Sequence, residues 1–244
     1  MMKSIIKQIL VQNREFYQKH AVSFSQTRDL EWGGWGRVFS KISKEKKQYK
    51  ILDVACGNCR LFKYIRKEYG NLMVDYLGLD QNQILLDISK ERYANDRKFN
   101  ISNIDVVENT YQLRNYINNY DVICVFGLTH HIPAEYLTKV WINDIISSNI
   151  HNQKYVIFSF WKIYKKYLSK YLIKDINSSI FGLNDYFFSW KNDKKLYRYV
   201  HIYTNEEINQ IVDIMKNKGY LLYDRFRKKE SKKGMNEYLL FKSI

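Results

Sequence analysis

Proline occurs once in the 244 residues, glycine ten times and cysteine three times. So little proline and glycine excludes collagen-like and proline-rich low-complexity chains. Three cysteines cannot form a closed set of disulfides or a four-cysteine zinc site, so the expectation is a reduced, cytoplasmic protein with no structural metal. No run approaches the roughly 18 apolar residues of a membrane span. Near the start, Ile5-Ile6 and Ile9-Leu10-Val11 are broken by Lys7 and Gln8, an amphipathic helix pattern rather than a secretory leader, and no membrane partner is expected. Acidic residues are also in short supply: 25 Asp and Glu face 40 Lys and Arg, for a net charge of +15. Such a surplus pulls a chain toward polyanions. Lysine supplies most of it, however, beside abundant Asn, Ile and Tyr, the mixture that AT-rich codons write. The charge is compatible with a nucleic-acid partner and does not prove one.

What is present is 45% hydrophobic residues in a chain of single-domain length, enough for a real core and too many for wholesale disorder. Short apolar runs alternate with helical spacing. Lys50–Ala55, Asp75–Asp80, Ile104–Val107, Tyr120–Phe126 and Tyr155–Trp161 read as five strands, and Leu61–Tyr69, residues 84–94 and residues 134–148 as helices between them. Near-continuous apolar strands separated by helices imply a parallel sheet covered on both faces. The end of the chain differs. A helix at about 205–218, which Thr204 and Glu207 can cap, precedes two runs, Tyr220–Phe226 and Tyr238–Phe241, around a polar turn at Lys228–Gly234. The expectation is one α/β domain with a doubly wound, mostly parallel sheet and a C-terminal antiparallel hairpin. It divides into an N-terminal helical extension (1–45), a core (46–161), an insertion (162–204) and the C-terminal helix and hairpin (205–244).

The sharpest local signal is Ile51-Leu52-Asp53-Val54-Ala55-Cys56-Gly57-Asn58-Cys59-Arg60: a strand, a tight turn of small residues, then a helix. Such a turn lets a ligand approach the backbone near exposed helix N–H groups. Asp80 ends the next strand, where a carboxylate accepts hydrogen bonds from the two hydroxyls of a ribose. Cys56 and Cys59 lack the partners that a redox or metal site needs and read as small packing residues. The segment resembles the first motif of the class I S-adenosylmethionine-dependent methyltransferases, roughly D-x-G-x-G-x-G, with Asp53 and Gly57 in place and Ala55 and Cys59 standing for the first and third glycines. The resemblance implies a Rossmann-like fold with S-adenosylmethionine as cofactor. It implies Asp53 near the methionine moiety, Ala55 and Gly57 in the turn, and Asp80 and Gln81 at the ribose. The Glu108-Asn109 corner would meet the adenine, and Phe126-Gly127-Leu128 would lie under the cofactor. A dinucleotide-binding reading fits less well, because a pyrophosphate needs the closest backbone approach.

The flanks carry the acceptor. In order they read Phe24-Ser25-Gln26-Thr27-Arg28, Thr129-His130-His131, Asp185-Tyr186-Phe187-Phe188-Ser189-Trp190, Arg198-Tyr199-Val200-His201-Ile202-Tyr203 and Asn236-Glu237-Tyr238. In that order they resemble the eukaryote-type tRNA wobble-uridine carboxymethyl methyltransferases, from about residue 15 to the end. The segment 162–184 departs from that pattern. The resemblance implies tRNA as substrate and a small zinc-binding activator protein as a possible partner. The acceptor there is a carboxylate, with a pKa of ~4, ionised at neutral pH, so no general base is needed. The site must hold one oxygen in line with the methyl group at roughly 3 Å. Arginine suits this because its planar fork fixes a carboxylate. The expected catalytic set is Arg28 and Arg198 on the carboxylate or a nearby phosphate, His131 and His201 shaping the pocket, and Asp185 pairing with an arginine or reading the uracil N3–H. Adjacent His130 and His131 cannot both face one pocket from extended backbone. Trp32, Trp161 and Trp190 read as core. Tyr164–Lys174 and Arg225–Lys233 are basic stretches that could meet phosphates or simply be solvated. Two alternatives stay open beside tRNA methylation: a methyltransferase acting on a metabolite or quinone precursor, and a non-catalytic RNA-binding protein on the same fold.

Overall fold

The computed structural model describes residues 2–28, 30–45, 48–70, 73–146, 154–168, 184–190, 193–232 and 234–244. In chain order the elements are α1 (Met2–Gln26), α2 (Trp35–Ile42), β1 (Tyr49–Val54), α3 (Arg60–Tyr69), β2 (Met73–Asp80), α4 (Gln83–Tyr93), β3 (Phe99–Asn103), α5 (Thr110–Asn118) and β4 (Val122–Val125). A continuous helical stretch follows, made of α6 (Ala134–Tyr136), a π turn (Leu137–Trp141) and α7 (Ile142–Ile145). Then come β5 (Tyr155–Ile163), α8 (Lys165–Leu168), β6 (Asp185–Trp190), β7 (Asp193–His201), α9 (Asn205–Asn217), β8 (Tyr220–Ser231) and β9 (Gly234–Ser243).

Seven strands form one sheet in the order β3-β2-β1-β4-β5-β9-β8. The first five are parallel, and β9 pairs antiparallel with both β5 and β8. Period-2 alternation sorts the strand side chains to two faces. Leu52, Val54, Ile123, Val125, Val156 and Phe158 pack with α5, α7 and α9 on one side. Ile51, Val122, Cys124, Tyr155 and Ile157 pack with α2 and α3 on the other. Because β1 lies between β2 and β4, the strand order reverses there. That reversal opens a crevice at the carboxyl ends of β1 and β4, where open α/β sheets bind ligands. The doubly wound sheet with its C-terminal hairpin is the architecture expected from the sequence.

Two boundaries differ from that expectation. The third strand is Phe99–Asn103, not Ile104–Val107. As the sheet's edge it is polar and half-exposed, which hides it from an apolar-run criterion, and the apolar Ile104–Val107 instead forms the loop at its carboxyl end. The last hairpin is longer than its apolar runs, because β8 continues through the charged Arg225–Ser231 as an edge strand paired to β9, so most of the expected polar turn is strand. The Thr204–Glu207 capping box of α9 is present as expected. The basic stretch Tyr164–Lys174 is described only as far as Leu168; 169–174 lie outside the described residues. Among the described residues, no helix is long and apolar enough to cross a membrane.

Outside the main sheet, β6 and β7 form a two-stranded antiparallel hairpin. Phe187 and Tyr199 on it pack on Ile9 of α1, and Phe188 and Val200 pack on the far side with Trp161 and Ile163 of β5. The hairpin is therefore wedged between α1 and the end of β5, and it brings α1 over the crevice.

Candidate functional site

Beyond β1 the backbone passes through three left-handed residues, Ala55 (φ +62°), Gly57 (φ +57°) and Cys59 (φ +52°). Alternate left-handed positions are what glycine usually supplies, and Ala55 and Cys59 hold this geometry at a cost of roughly 1–2 kcal/mol each. A Cβ placed on Gly57 would meet nothing within 4 Å, so that side of the turn faces the open crevice. The thiols of Cys56 and Cys59 fill the space over Gly78, where a Cβ would lie 2.8 and 3.1 Å from them. They are packing groups, and burial raises the Cys56 thiol well above its ordinary pKa.

Asp80 closes the same turn. Its Oδ2 accepts the Gly57 N–H at 2.8 Å and its Oδ1 the Asn82 N–H at 2.8 Å. Burial raises its pKa. A carboxylate has about four acceptor positions, so both oxygens keep capacity for further donors. The crevice beside it is a cleft whose empty space, open mouth included, is about 840 Å³. Gln81, Leu85, Asp105 and Val106 form its corner, and the Trp141 indole N–H anchors the Val106 carbonyl at 2.9 Å. Asp105 Oδ1 accepts the N–H groups of Val107 and Glu108, which fixes the corner's turn. A nucleoside fits this donor set: a carboxylate with spare acceptor capacity, an open floor at Gly57 and an apolar corner with polar ends.

α1 roofs the cleft with Leu10, Asn13, Arg14, Tyr17, Gln18 and Phe24. Over the nucleoside corner, Arg14 donates to Gln81 Oε1 at 3.1 Å, Asp105 Oδ2 at 2.9 Å and Glu108 Oε2 at 3.0 Å. One turn further on, the Tyr17 hydroxyl lies 2.8 Å from His131 Nε2. His131 Nδ1 lies 2.8 Å from the Tyr199 carbonyl, which can only accept, so Nδ1 carries the proton and Nε2 receives the Tyr17 O–H. Arg198 Nη1 completes the chain by donating to the Tyr17 oxygen at 2.9 Å. Burial, and then the Arg198 charge, push the His131 pKa down to about 3, so the ring is neutral at pH 7.

Among the described residues, the cations around this chain have no carboxylate beside them. Arg198 is 6% exposed and ringed by Phe16, Tyr17, Trp161 and Trp190 at 5.3–6.0 Å. Its Nε has no hydrogen-bond partner among the described residues. Arg28 lies over Phe24 at 5.2 Å, and its pKa is lowered by burial and by Arg198. Neither guanidinium meets a carboxylate among the described residues.

The structure brings Ala55, Gly57, Asp80, Gln81, Gly127 and His131 to one cleft, with Arg28 and Arg198 beside its acceptor end. It places the remaining sequence candidates elsewhere. Asp53 is buried behind the turn, accepts the Tyr76 hydroxyl at 2.7 Å, and has its pKa raised to about 7 by burial. Asn109 stands at the N-terminal boundary of α5, off the cleft and without a side-chain capping bond, and Glu108 reaches the cleft only through Arg14. Asp105 stands where that pair was expected, a consequence of the third strand ending at Asn103. Phe126 packs on the opposite face with Trp32, Trp35 and Tyr238.

Asp185 and His201 are joined to each other at 2.6 Å, with Tyr199 on Asp185 and Glu207 on His201 at 3.1 Å. They brace the hairpin against α9 and do not line the cleft. His130 stacks on Trp161 at 3.6 Å while His131 faces the cleft, so the adjacent pair does divide. Tyr17, Asn13 and Arg14 went unread in the sequence. Their one signal is polar residues at helical spacing on an otherwise apolar α1 face, directly before Phe24–Arg28.

Residues 52–143 match the family model described as a methyltransferase domain. A search of curated protein sequences gives no significant match. Among solved structures, the chain is similar to an S-adenosylmethionine-dependent methyltransferase from Clostridium acetobutylicum (TM-score 0.54, 16% identity, covering 93% of this chain and 98% of that one). It is similar to one from Methanosarcina mazei (0.62, 11%, 84% and 97%). It is also similar to magnesium protoporphyrin IX methyltransferase from Synechocystis with bound S-adenosylmethionine (0.58, 12%, 95% and 95%). At these identities the likeness shows the class I methyltransferase fold.

Proposed function

We propose that this chain, an S-adenosylmethionine-dependent methyltransferase, methylates a carboxylate, and that the carboxylate is the carboxymethyl group of a tRNA wobble uridine. One observation carries the carboxylate: a buried guanidinium, Arg198, and a half-buried one, Arg28, sit at the acceptor end of the cleft with no carboxylate partner among the described residues. Buried cations are paired in native proteins, and an anionic substrate supplies the missing partner.

Asp80, Gly57 and Gln81 would hold the nucleoside of the cofactor, whose sulfonium methyl needs only an aligned nucleophile. An ionised carboxylate is that nucleophile without loss of a proton. The work of the chain is then to orient it and exclude water. Arg198 and Arg28 give the planar donors. Tyr17 and neutral His131 line the cleft beside them, and the Tyr17 hydroxyl can turn its proton from His131 to a carboxylate oxygen. Phe16, Phe24, Trp161 and Trp190 dry the site, which strengthens each charge–dipole contact.

The tRNA carrier rests on the ordered flank motifs and on the +15 charge. A small-molecule carboxylate is a second reading, favoured by α1 lying across the cleft, which suits an acceptor that is enclosed. Labelled S-adenosylmethionine is offered with tRNA from cells lacking their own wobble methyltransferase, and separately with a panel of free carboxylic acids. A methyl ester of carboxymethyluridine in the nucleoside mass spectrum supports the first reading. Methyl esters only in the acid panel support the second. Transfer to neither, by protein that binds the cofactor, overturns the carboxylate.

A further inference from the structure

One buried donor in the cleft wall has no acceptor. Asn13 sits on α1 one turn before Tyr17, is 4% exposed and lines the cleft. Its Oδ1 accepts the Tyr199 backbone N–H at 2.7 Å, which settles the orientation of the amide, since the reverse would set donor against donor. Nδ2 is left with no partner among the described residues. An unpaired buried donor costs roughly 1–3 kcal/mol, and one held at the wall of a cleft is satisfied by what enters it.

Its neighbours say which ligand that is. Asn13 and Tyr17 are four residues apart and share a helix face, and Tyr17 joins His131 and Arg198. The Tyr199 backbone is held by cleft residues on both sides, its N–H by Asn13 and its carbonyl by His131. Arg14, the next residue, turns instead to the nucleoside corner. Asn13 therefore belongs to the acceptor end.

We propose that Asn13 is a specificity-determining residue whose Nδ2–H donates to an oxygen of the methyl acceptor. The proposal rests on the carboxylate reading above. Arg28 and Arg198 attract any anion, whereas a single N–H locked in place selects an acceptor with an oxygen at that point and rejects an isostere without one.

Asn13→Asp keeps an oxygen for the Tyr199 N–H but replaces the donor with a negative charge, while Asn13→Ala removes both contacts. The full chain, saturated with S-adenosylhomocysteine, is titrated with 5-carboxymethyluridine and separately with benzoate by calorimetry. Side-chain amide NMR follows the Asn13 resonance, identified by its loss in Asn13→Asp. The expected result is an unchanged S-adenosylhomocysteine affinity in Asn13→Asp, with carboxylate binding weakened about tenfold or more. The Asn13 amide should shift on adding a carboxylate and not with S-adenosylhomocysteine alone.

Equal carboxylate binding by wild type and Asn13→Asp, while Arg198→Gln loses it, overturns the role of Asn13 and leaves the carboxylate reading standing. An amide shift with S-adenosylhomocysteine alone moves Asn13 to the cofactor and also overturns it. If neither carboxylate binds wild type, both readings fall together.

Discussion

The two ends of the cleft are built differently. At the nucleoside end, consecutive backbone does the work: the Ala55–Cys59 turn, the Asp80 carboxylate that ties it to β2, and the corner at Asp105, each polar group already partnered. At the acceptor end, side chains from α1, the 129–131 turn and β7 converge from segments more than 60 residues apart, and donors are left over at Arg198 Nε and Asn13 Nδ2. A partnered end suits a ligand common to many enzymes. An end with spare buried donors suits the ligand peculiar to this one.

The largest test of that division is Arg198→Gln. Removing one partner of a desolvated charge pair costs about 2–5 kcal/mol, so kcat/KM for the acceptor should fall about thirtyfold or more while cofactor affinity holds. Steady-state kinetics beside calorimetry of cofactor binding separate the two. An equal fall in cofactor affinity would break the comparison, because Arg198 would then serve both ends.

The mirror experiment is Asp80→Asn. An amide keeps one acceptor oxygen where the carboxylate has two, so one backbone N–H loses its partner and, on the reading above, one ribose contact goes with it. A charged hydrogen bond contributes about 1.5–3 kcal/mol, which sets cofactor affinity to fall roughly 10–100-fold. At saturating cofactor the KM for the acceptor should stay put, and a shift in that KM would show that the two ends communicate.

The ends also oppose each other in pH. Folding holds His131 at about 3 against an unfolded 6.5, so between those values the unfolded chain binds the extra proton and stability rises with pH. His130 shifts the same way. Asp53 is held at about 7 against 3.8, so over that window the folded chain keeps the proton and stability falls as pH rises. Each contributes a slope of at most about 1.4 kcal/mol per pH unit. The two partly cancel, and single variants should unmask them. His131→Asn makes stability between pH 4 and 6 climb less steeply with pH, and Asp53→Asn makes it climb more. Denaturant titrations across that range read both, and slopes moving in the same direction would refute the assignment.

The same division decides what the sequence could tell. Asp53, Gly57 and Asp80 announce a strand, a turn and the carboxylate that ties that turn to β2, because the pattern is local and strands β1 and β2 are apolar runs. The corner that follows β3 lines the cleft with Asp105, a few residues before the expected Glu108–Asn109, because β3 is a polar edge strand, and an apolar-run criterion takes the loop Ile104–Val107 for the strand it follows. At the other end, Arg28, Arg198 and His131 were legible as types. Asp185 and His201 were equally plausible by type, yet the structure spends them on each other. No spacing rule distinguishes a pair that grips a ligand from a pair that grips itself. Tyr17 and Asn13 could not be read at all, since their partners lie 114 and 186 residues away.

The smallest effect sharpens the nucleoside end. Ala55 holds φ +62° in a turn where glycine is at ease, so Ala55→Gly relieves roughly 1 kcal/mol of strain. Against this stand the greater freedom of the unfolded glycine chain, about 0.4–1 kcal/mol, and the loss of a methyl packed on the core. The terms nearly offset, and the melting temperature should move by no more than a few degrees. Cys59→Gly relieves the same strain but empties the space over Gly78 that its buried sulfur fills, so it should destabilise where Ala55→Gly is nearly neutral. Thermal melts of the two variants side by side measure the difference. If Cys59→Gly came out the more stable, the left-handed backbone, not the packing of the thiols over β2, would be the dominant cost in this turn.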